Sequence, residues 1–408
     1  MSHPFLDSGL KGHHSTAQGK ALGAIRFLSQ ALKGRHRPAR EHLVSPIQGL
    51  GLSGFVPRAL PWAIEWRPVG AGTLSLGALM MKFRHCLRGD LGWAVLFALA
   101  VLLPHSVRAQ TNTNKPTLIV LSGAGGEEDF GKVFLEAAQS WKRAAERADV
   151  NLVEIGTADA KATNDLELFR ATLDQEPTNT LTELWIVMLG HGTFDGREAK
   201  FNLHGPDLSA STLSNLLAGF RRPVAIINAA SCSAPFIKAL ARKDRVIVTA
   251  TRSGSEENYT RFNRYISQAI ADPEADLDKD GQTSLLEAFL MASRRVTEFY
   301  KSEGRLATEH ALLDDNGDGL GVQADWFRGI HAVKKAANNA ALDGTRAHQW
   351  HLVRSKEDQK LTPEQRQKRD ALELEIGKLR DQKSKMNEDE YYKQLEALLT
   401  KLGEIELH

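Results

Sequence analysis

The amino-acid sequence predicts an α/β protein, an α/β/α sandwich built on a mainly parallel sheet and followed by a C-terminal helical hairpin or coiled coil. Three observations carry this expectation. Two apolar runs, Leu184-Trp185-Ile186-Val187-Met188-Leu189 and Pro223-Val224-Ala225-Ile226-Ile227-Asn228, lack polar alternation and end in small or turn-forming residues, as strands buried on both faces do. Between them, segment 209–220 opens on Ser209 and carries a Leu213/Leu216/Leu217 face, which makes it the crossover helix of a right-handed βαβ unit. From Arg366 onward Glu, Lys, Gln and Leu dominate, with apolar residues at helical intervals.

The N-terminal part belongs to no folded pattern. Residues 1–80 mix Gly, Pro, His and basic residues without a period, and are expected to be disordered or to reflect a start codon placed too far upstream. Residues 81–109 form a signal peptide: Lys82, Arg84 and Arg88 are basic, 91–103 is apolar, and Val107-Arg108-Ala109 ends on a small residue suited to cleavage. The apolar run falls short of the ~20 residues of a spanning helix. A secreted or periplasmic protein with no stable membrane span after cleavage is therefore expected, and the absence of a cysteine at the cleavage point argues against a lipoprotein.

The remaining chain suffices for one medium domain with appendages, since the 408 residues are 42% hydrophobic and 25% charged. A formal net charge of only +2 points to no nucleic-acid partner and to no anionic membrane surface. Of the two cysteines, Cys86 leaves with the signal peptide, so Cys232 stands alone as a thiol that no intrachain disulfide can use. An exported protein that keeps one such thiol invites a reactive-cysteine reading.

Taken in order, the polar linker 111–114 leads into a strand at Thr117 that includes Leu118-Ile119-Val120-Leu121 and ends in the loop Ser122-Gly123-Ala124-Gly125-Gly126. Val133, Leu135, Ala137, Ala138, Trp141 and Ala145 mark a helix, 150–155 a second strand, and 165–173 a short helix. The two runs quoted above are the third and fourth strands, and 245–250 is the fifth. A helix at 285–300 packs through Phe289, Val296, Phe299 and Tyr300; His310, beside Glu309, reads as structural. In 363–408, helices 363–385 and 388–407 meet at a capping box formed by Asn387 and Glu390. Their stripe of Leu372, Ile376, Leu379, Leu395, Leu398, Leu399, Leu402 and Ile405 can be buried by a hairpin within the chain or by self-association as a coiled coil.

Function follows from the strand ends. In open α/β sheets chemistry sits beyond the carboxyl ends of the strands. The third strand runs out into Gly190-His191-Gly192 and the fourth into Ala229-Ala230-Ser231-Cys232, so parallel pairing places His191 and Cys232 at one sheet edge. An imidazole there can take the thiol proton, and the thiolate can attack a carbonyl. The N–H groups of Gly192 and Cys232 are the expected oxyanion-hole donors.

This order of strand with His191-Gly192, helix, and strand with Ser231-Cys232 resembles the caspase-like fold of clan CD cysteine peptidases, and most of all the legumain family. The cysteine follows the histidine by 41 residues, against about fifty in caspases. The opening strand with loop 122–126, and the strand Val246-Ile247-Val248-Thr249-Ala250-Thr251 with its following loop 252–258, are similar to the family's first βα unit and to its specificity loop. The resemblance covers roughly 115–335 and implies a peptidase domain with Cys232 as nucleophile and His191 as base, acting on a peptide or protein substrate. Two alternatives stay open: a transpeptidase or ligase of the same family, and a non-catalytic binding module. Legumains follow the cysteine with glutamate where this chain has Ser233, and carry asparagine and arginine in the first loop where it has Glu127, Glu128 and Asp129. Asparagine specificity therefore does not carry over, and acidic residues of that loop, or Glu256 and Glu257, would favour a basic residue before the cut bond.

A second motif is independent of the dyad. Residues 276–287 match an EF-hand loop, with Asp276, Asp278, Asp280, Gly281 for the turn, Gln282, an oxygen at Ser284 and Glu287 at the twelfth position. Structural Ca2+ is the cofactor expected there. Residues 314–325 repeat the spacing with Asp314, Asn316, Asp318 and Gly319 but have Asp325 at the twelfth position, which fits weak binding.

Overall fold

The computed structural model describes residues 115–157, 164–338 and 340–406. The expected signal peptide at 81–109, Cys86 and the stretch 1–80 lie outside these residues.

The described chain runs β1 (Thr117–Ser122), α1 (Glu128–Ala148), β2 (Asn151–Ile155), α2 (Asp165–Leu173), β3 (Leu184–Leu189), β4 (Gly192–Phe194), β5 (Ala199–Phe201), β6 (Leu208–Ser209), α3 (Ala210–Leu216), β7 (Val224–Asn228), α4 (Pro235–Leu240), β8 (Arg245–Thr249), α5 (Phe262–Ala269), α6 (Leu285–Ser302) and β9 (Leu312–Asp314). A short helix α7 (Thr345–His348) then leads to α8 (Pro363–Gln382) and α9 (Glu388–Glu406). The main sheet is six-stranded in the order β2-β1-β3-β7-β8-β9. Every pairing is parallel except β8 with β9. Fold class is as the sequence predicts: a mainly parallel sheet between helical layers, with C-terminal helices.

Why the strands carry no polar alternation is visible in what each face touches. Leu118, Val120, Trp185, Val187, Ala225, Ile227, Val246 and Val248 join one core with α1, α5 and α6. The intervening residues, Ile119, Leu121, Ile186, Met188, Ile226 and Ile247, join a second core with α2, α3 and α4. Each fully buried large side chain contributes about 1.5–3 kcal/mol relative to exposure, so both faces must be apolar for the sheet to hold two layers. On the first face the Trp141 indole reaches across from α1 to donate to Ser267 Oγ on α5 at 2.9 Å.

The two ends of the sheet differ in chemistry. At the amino ends of β1, β3 and β7, the fully buried Arg222 pairs with Glu176 at 2.8 Å, while Thr117 donates to the same carboxylate at 2.8 Å. Arg222 also donates to the carbonyls of Thr182 and Glu183, both at 2.9 Å, so its charge is spread over a rigid knot. The carboxyl ends of β3 and β7 run out into the turns that carry His191 and Cys232.

Several elements differ from the expectation. The stretch after His191, to which the sequence assigns no element, is a three-stranded antiparallel sheet, β4-β5-β6. Helices α4 and α5 and the antiparallel edge strand β9 also appear. The C-terminal helices pack on one another with Leu379 and Tyr391 buried, and Lys383 Nζ lies 5.0 Å from the Tyr391 ring centre. Asn387 caps α9 by accepting the Asp389 N–H at 2.9 Å. Helix α8 is fastened to the body: Gln349 donates to Asp370 O and to Glu373, both at 2.8 Å, and Arg369 pairs with Asp358. Among the described residues no helix is long and apolar enough to cross a membrane.

Candidate active site

His191 leaves β3 on the turn into β4, and Cys232 leaves β7 on the turn before α4. Because β3 and β7 are hydrogen-bonded neighbours running in parallel, both residues emerge at the same sheet edge. The two turns are tied directly. Ser231 Oγ accepts the Gly192 N–H at 3.0 Å and donates to the Gly192 carbonyl at 3.1 Å. A Cβ at position 192 would sit 2.3 Å from the Ser231 carbonyl oxygen, so only glycine lets the turns approach this closely.

The His191 ring is held on its edges and faces. Phe130 and Phe134 of α1 meet it edge-on at 4.8 and 5.1 Å, and Tyr259 lies 6.2 Å away. Burial lowers its pKa, opposed by a hydrogen bond to the Gly125 carbonyl and by the Glu127 charge. A neutral imidazole whose ring is anchored to a carbonyl is the form a general base needs.

Cys232 adopts φ +54, a left-handed conformation rare outside glycine. Such conformations cost on the order of 1–3 kcal/mol and persist where surrounding contacts impose them. The thiol is a free cysteine, 1% exposed. Burial, then the charge of Glu257, pushes its pKa up to about 11. In this conformation burial favours the neutral form of both side chains, the Cys232 thiol and the His191 imidazole.

The expected oxyanion hole needs correction for this conformation. The Cys232 N–H donates to the Glu256 carbonyl at 2.9 Å, and the Gly192 N–H is held by Ser231. Buried amides must find acceptors, and here the protein supplies them from its own chain.

The five acidic residues expected near the substrate divide into two groups. Glu128 and Asp129 pair with Lys132 at 2.7 and 3.9 Å, and Glu256 turns inward to His310 at 2.6 Å and Arg252 at 3.3 Å. Glu127 and Glu257 are exposed and have no ion-pair partner among the described residues. Their charges act on His191 and Cys232 respectively.

Sequence reasoning missed Ser231, the Gly125 carbonyl and the aromatic cage of Phe130, Phe134 and Tyr259. Ser233, which departs from the legumain pattern, is fully buried and its hydroxyl accepts the N–H groups of Ala250 and Thr251 at 3.1 and 3.2 Å, tying the Cys232 turn to the end of β8. A hydroxyl flanking the cysteine on each side was the available signal.

No family model matches the chain, and no curated protein matches it in sequence. Among solved structures it is similar to the Drosophila initiator caspase Dronc, with TM-score 0.34 and 12% identity over 53% of this chain and 85% of the other. It is also similar to caspase-1 from Spodoptera frugiperda, with TM-score 0.34 and 8% identity over 51% of this chain and 88% of the other.

The acidic loop 276–287 leads into α6. Carboxylate oxygens of Asp276, Asp278 and Asp280 come within 4.8 Å of one another, and so do ligand atoms of Asp278, Glu287 and His348. Gly281 has φ +88, the left-handed turn expected of the sixth position. The three aspartates offer oxygens that fit a hard divalent cation, while Asp278 also meets His348 Nε2 at 3.0 Å. Glu287 differs from a simple ligand: fully buried, it accepts the N–H of Leu277 at 2.7 Å and of Ser284 at 2.8 Å and completes the α6 capping box. Gln282 joins through its side chain, donating to Asp280 at 3.0 Å and accepting the Ser355 N–H at 3.0 Å. In the second loop Asp314 accepts the N–H groups of Gly317 and Gly319, both at 2.9 Å.

Proposed function

We propose that this protein is a cysteine endopeptidase of the caspase-like clan, on its legumain side, that hydrolyses peptide bonds with Cys232 as nucleophile and His191 as base. The observation that carries the reading is the pair of hydrogen bonds between Ser231 and Gly192, which holds the histidine turn against the cysteine turn at the carboxyl edge of a parallel sheet. His191 takes the Sγ proton as the sulfur forms a bond to the substrate carbonyl carbon. The tetrahedral intermediate collapses by breaking the C–N bond, with the imidazolium returning its proton to the leaving amine, and water then hydrolyses the thioester. The Cys232 N–H receives the oxyanion once the Glu256 carbonyl withdraws, while the Gly192 N–H stays on Ser231 Oγ.

The exposed carboxyl groups of Glu127 and Glu257, which act electrostatically on His191 and Cys232, support a substrate with lysine or arginine before the cut bond. Residues 81–109 support export, to the periplasm or beyond the cell. The oxygens of Asp276, Asp278 and Asp280, with Gln282 and Glu287 completing the loop, support structural Ca2+, which there would neutralise mutually repelling carboxylates and stiffen the entry to α6. Half-buried Leu395, Leu398, Leu399, Leu402 and Ile405 along α9 support self-association through the C-terminal helices.

Labelling with an electrophilic peptide ending in lysine tests the reading. The probe is expected on Cys232 of the wild type, and on neither Cys232→Ala nor His191→Ala. Equal labelling of His191→Ala, or hydrolysis by Cys232→Ala, overturns it.

A further inference from the structure

The segment 252–259 crosses the site from the β8 side to the β4 side and contacts both members of the dyad. It follows Thr251, two residues past the end of β8, whose Oγ1 accepts the Ala234 N–H at 3.0 Å, and it is tied again at Thr260, whose hydroxyl donates to the Ala229 carbonyl at 2.5 Å. Between these anchors three contacts cover the site. Gly254 lies flat on the Phe194 ring of β4, where a Cβ would come 2.4 Å from Cδ1. The Glu256 carbonyl accepts the Cys232 N–H at 2.9 Å. The Tyr259 ring stands 6.2 Å from His191.

We infer that residues 252–259 are an autoinhibitory strap, latched by Glu256 and His310, in which the Glu256 carbonyl occupies the place of the substrate's carbonyl oxygen. The latch is specific. One carboxylate oxygen of Glu256 meets His310 Nδ1 at 2.6 Å, and the other accepts the N–H groups of His310 at 3.2 Å and Arg252 at 2.9 Å. His310 belongs to the stretch before β9, and its neighbour Glu309 is locked in place by accepting the N–H groups of Arg261 and Phe262, both at 2.9 Å. The strap is therefore clamped to a rigid part of the fold on one side and to the cysteine's own amide on the other. With the strap down, Cys232 is 1% exposed, and a peptide cannot reach its sulfur. With the strap lifted, the Cys232 N–H and the space over Phe194 are released together. An incoming peptide that offers a carbonyl to Cys232 competes with Glu256 for the same donor, so substrate binding and strap release are one equilibrium. The inference rests on the peptidase reading for its purpose, but its geometry does not depend on it.

Alkylation of Cys232 by iodoacetamide, located by peptide mapping of the full chain, reads the strap without requiring turnover. His310→Ala removes one side of the latch, and Gly254→Ala pushes the strap away from Phe194. In either variant, with wild-type circular dichroism, alkylation is expected to accelerate by tenfold or more. Unchanged rates in both folded variants would overturn the strap. Hydrogen exchange on the wild type adds a measurement without substitution: peptides covering 252–259 are expected to exchange faster than β8, and exchange there only at the rate of global unfolding would also overturn it. Faster alkylation without peptide hydrolysis upholds the strap and rejects the peptidase, whereas wild-type hydrolysis with unaltered alkylation in the variants does the reverse.

Discussion

Ser231 and Gly192 hold each other through two hydrogen bonds, the serine hydroxyl accepting the glycine N–H at 3.0 Å and donating to its carbonyl at 3.1 Å. Ser231→Ala leaves both main-chain groups buried without a partner, at a cost of about 1–3 kcal/mol. Tm is expected to fall by roughly 2–8 °C, and probe labelling of Cys232 by at least tenfold. Gly192→Ala, whose Cβ meets the Ser231 carbonyl at 2.3 Å, is expected to lose labelling altogether. Wild-type labelling in Ser231→Ala would show that the tether does not align the dyad.

The reactivity of the resting thiol is expected to depend steeply on pH. Burial raises the Cys232 pKa to about 11, so the neutral thiol dominates below that value and the reactive thiolate grows as pH rises toward it. An ordinary cysteine near pKa 8.5 would level off by about pH 9. Alkylation of the wild type should keep climbing about tenfold per pH unit through pH 9 and 10, with circular dichroism confirming that the fold persists. A plateau at pH 8.5 to 9 would mean that the thiol is not held in a dry environment.

Selectivity at the cut bond is expected to come from Glu257 more than from Glu256. The Glu256 carboxylate is committed to His310 and Arg252, whereas Glu257 is exposed and its charge acts on Cys232. Glu257→Gln should lower kcat/KM for lysine- or arginine-bearing peptides by about tenfold, near 1.4 kcal/mol, with little effect on a neutral residue in that place. A positional library that prefers asparagine or aspartate would reject the assignment.

Calcium is expected to raise Tm, by an amount that Asp280→Ala removes. Asp280 is the informative position because its carboxylate serves only the loop, accepting from the Gln282 N–H and amide at 3.0 Å. Glu287→Ala is less clean: it removes a buried capping box and should destabilise the protein with or without the ion. At a hundredfold excess over Kd a site on the folded form adds about 2.7 kcal/mol. Superimposable melting curves with calcium and with chelator would leave the loop as a hydrogen-bonded turn.

The parts legible in the sequence are those encoded by neighbouring residues. Runs such as Leu184 to Leu189 had to be strands buried on both faces, because no alternation was present to give either face to water. Ser209 announced a helix start, and its hydroxyl accepts the N–H three residues on, from Thr212. Parallel pairing of β3 and β7 then brought His191 and Cys232 to one edge, as expected from strand, helix and strand alone. What only the tertiary structure decided depends on partners far apart in the chain or on elements too short to leave a pattern. The strands β4, β5 and β6 have three, three and two residues, less than the length over which a period can be read. Strand β9 gains its place by antiparallel pairing with β8, from a segment more than sixty residues away. The start of α5 has no local cap; its N–H groups go to Glu309, 47 and 48 residues further on. The same holds at the site, where the Cys232 amide meets the Glu256 carbonyl rather than open solvent. A hydrogen bond is chosen by distance in space, and a sequence states only distance along the chain.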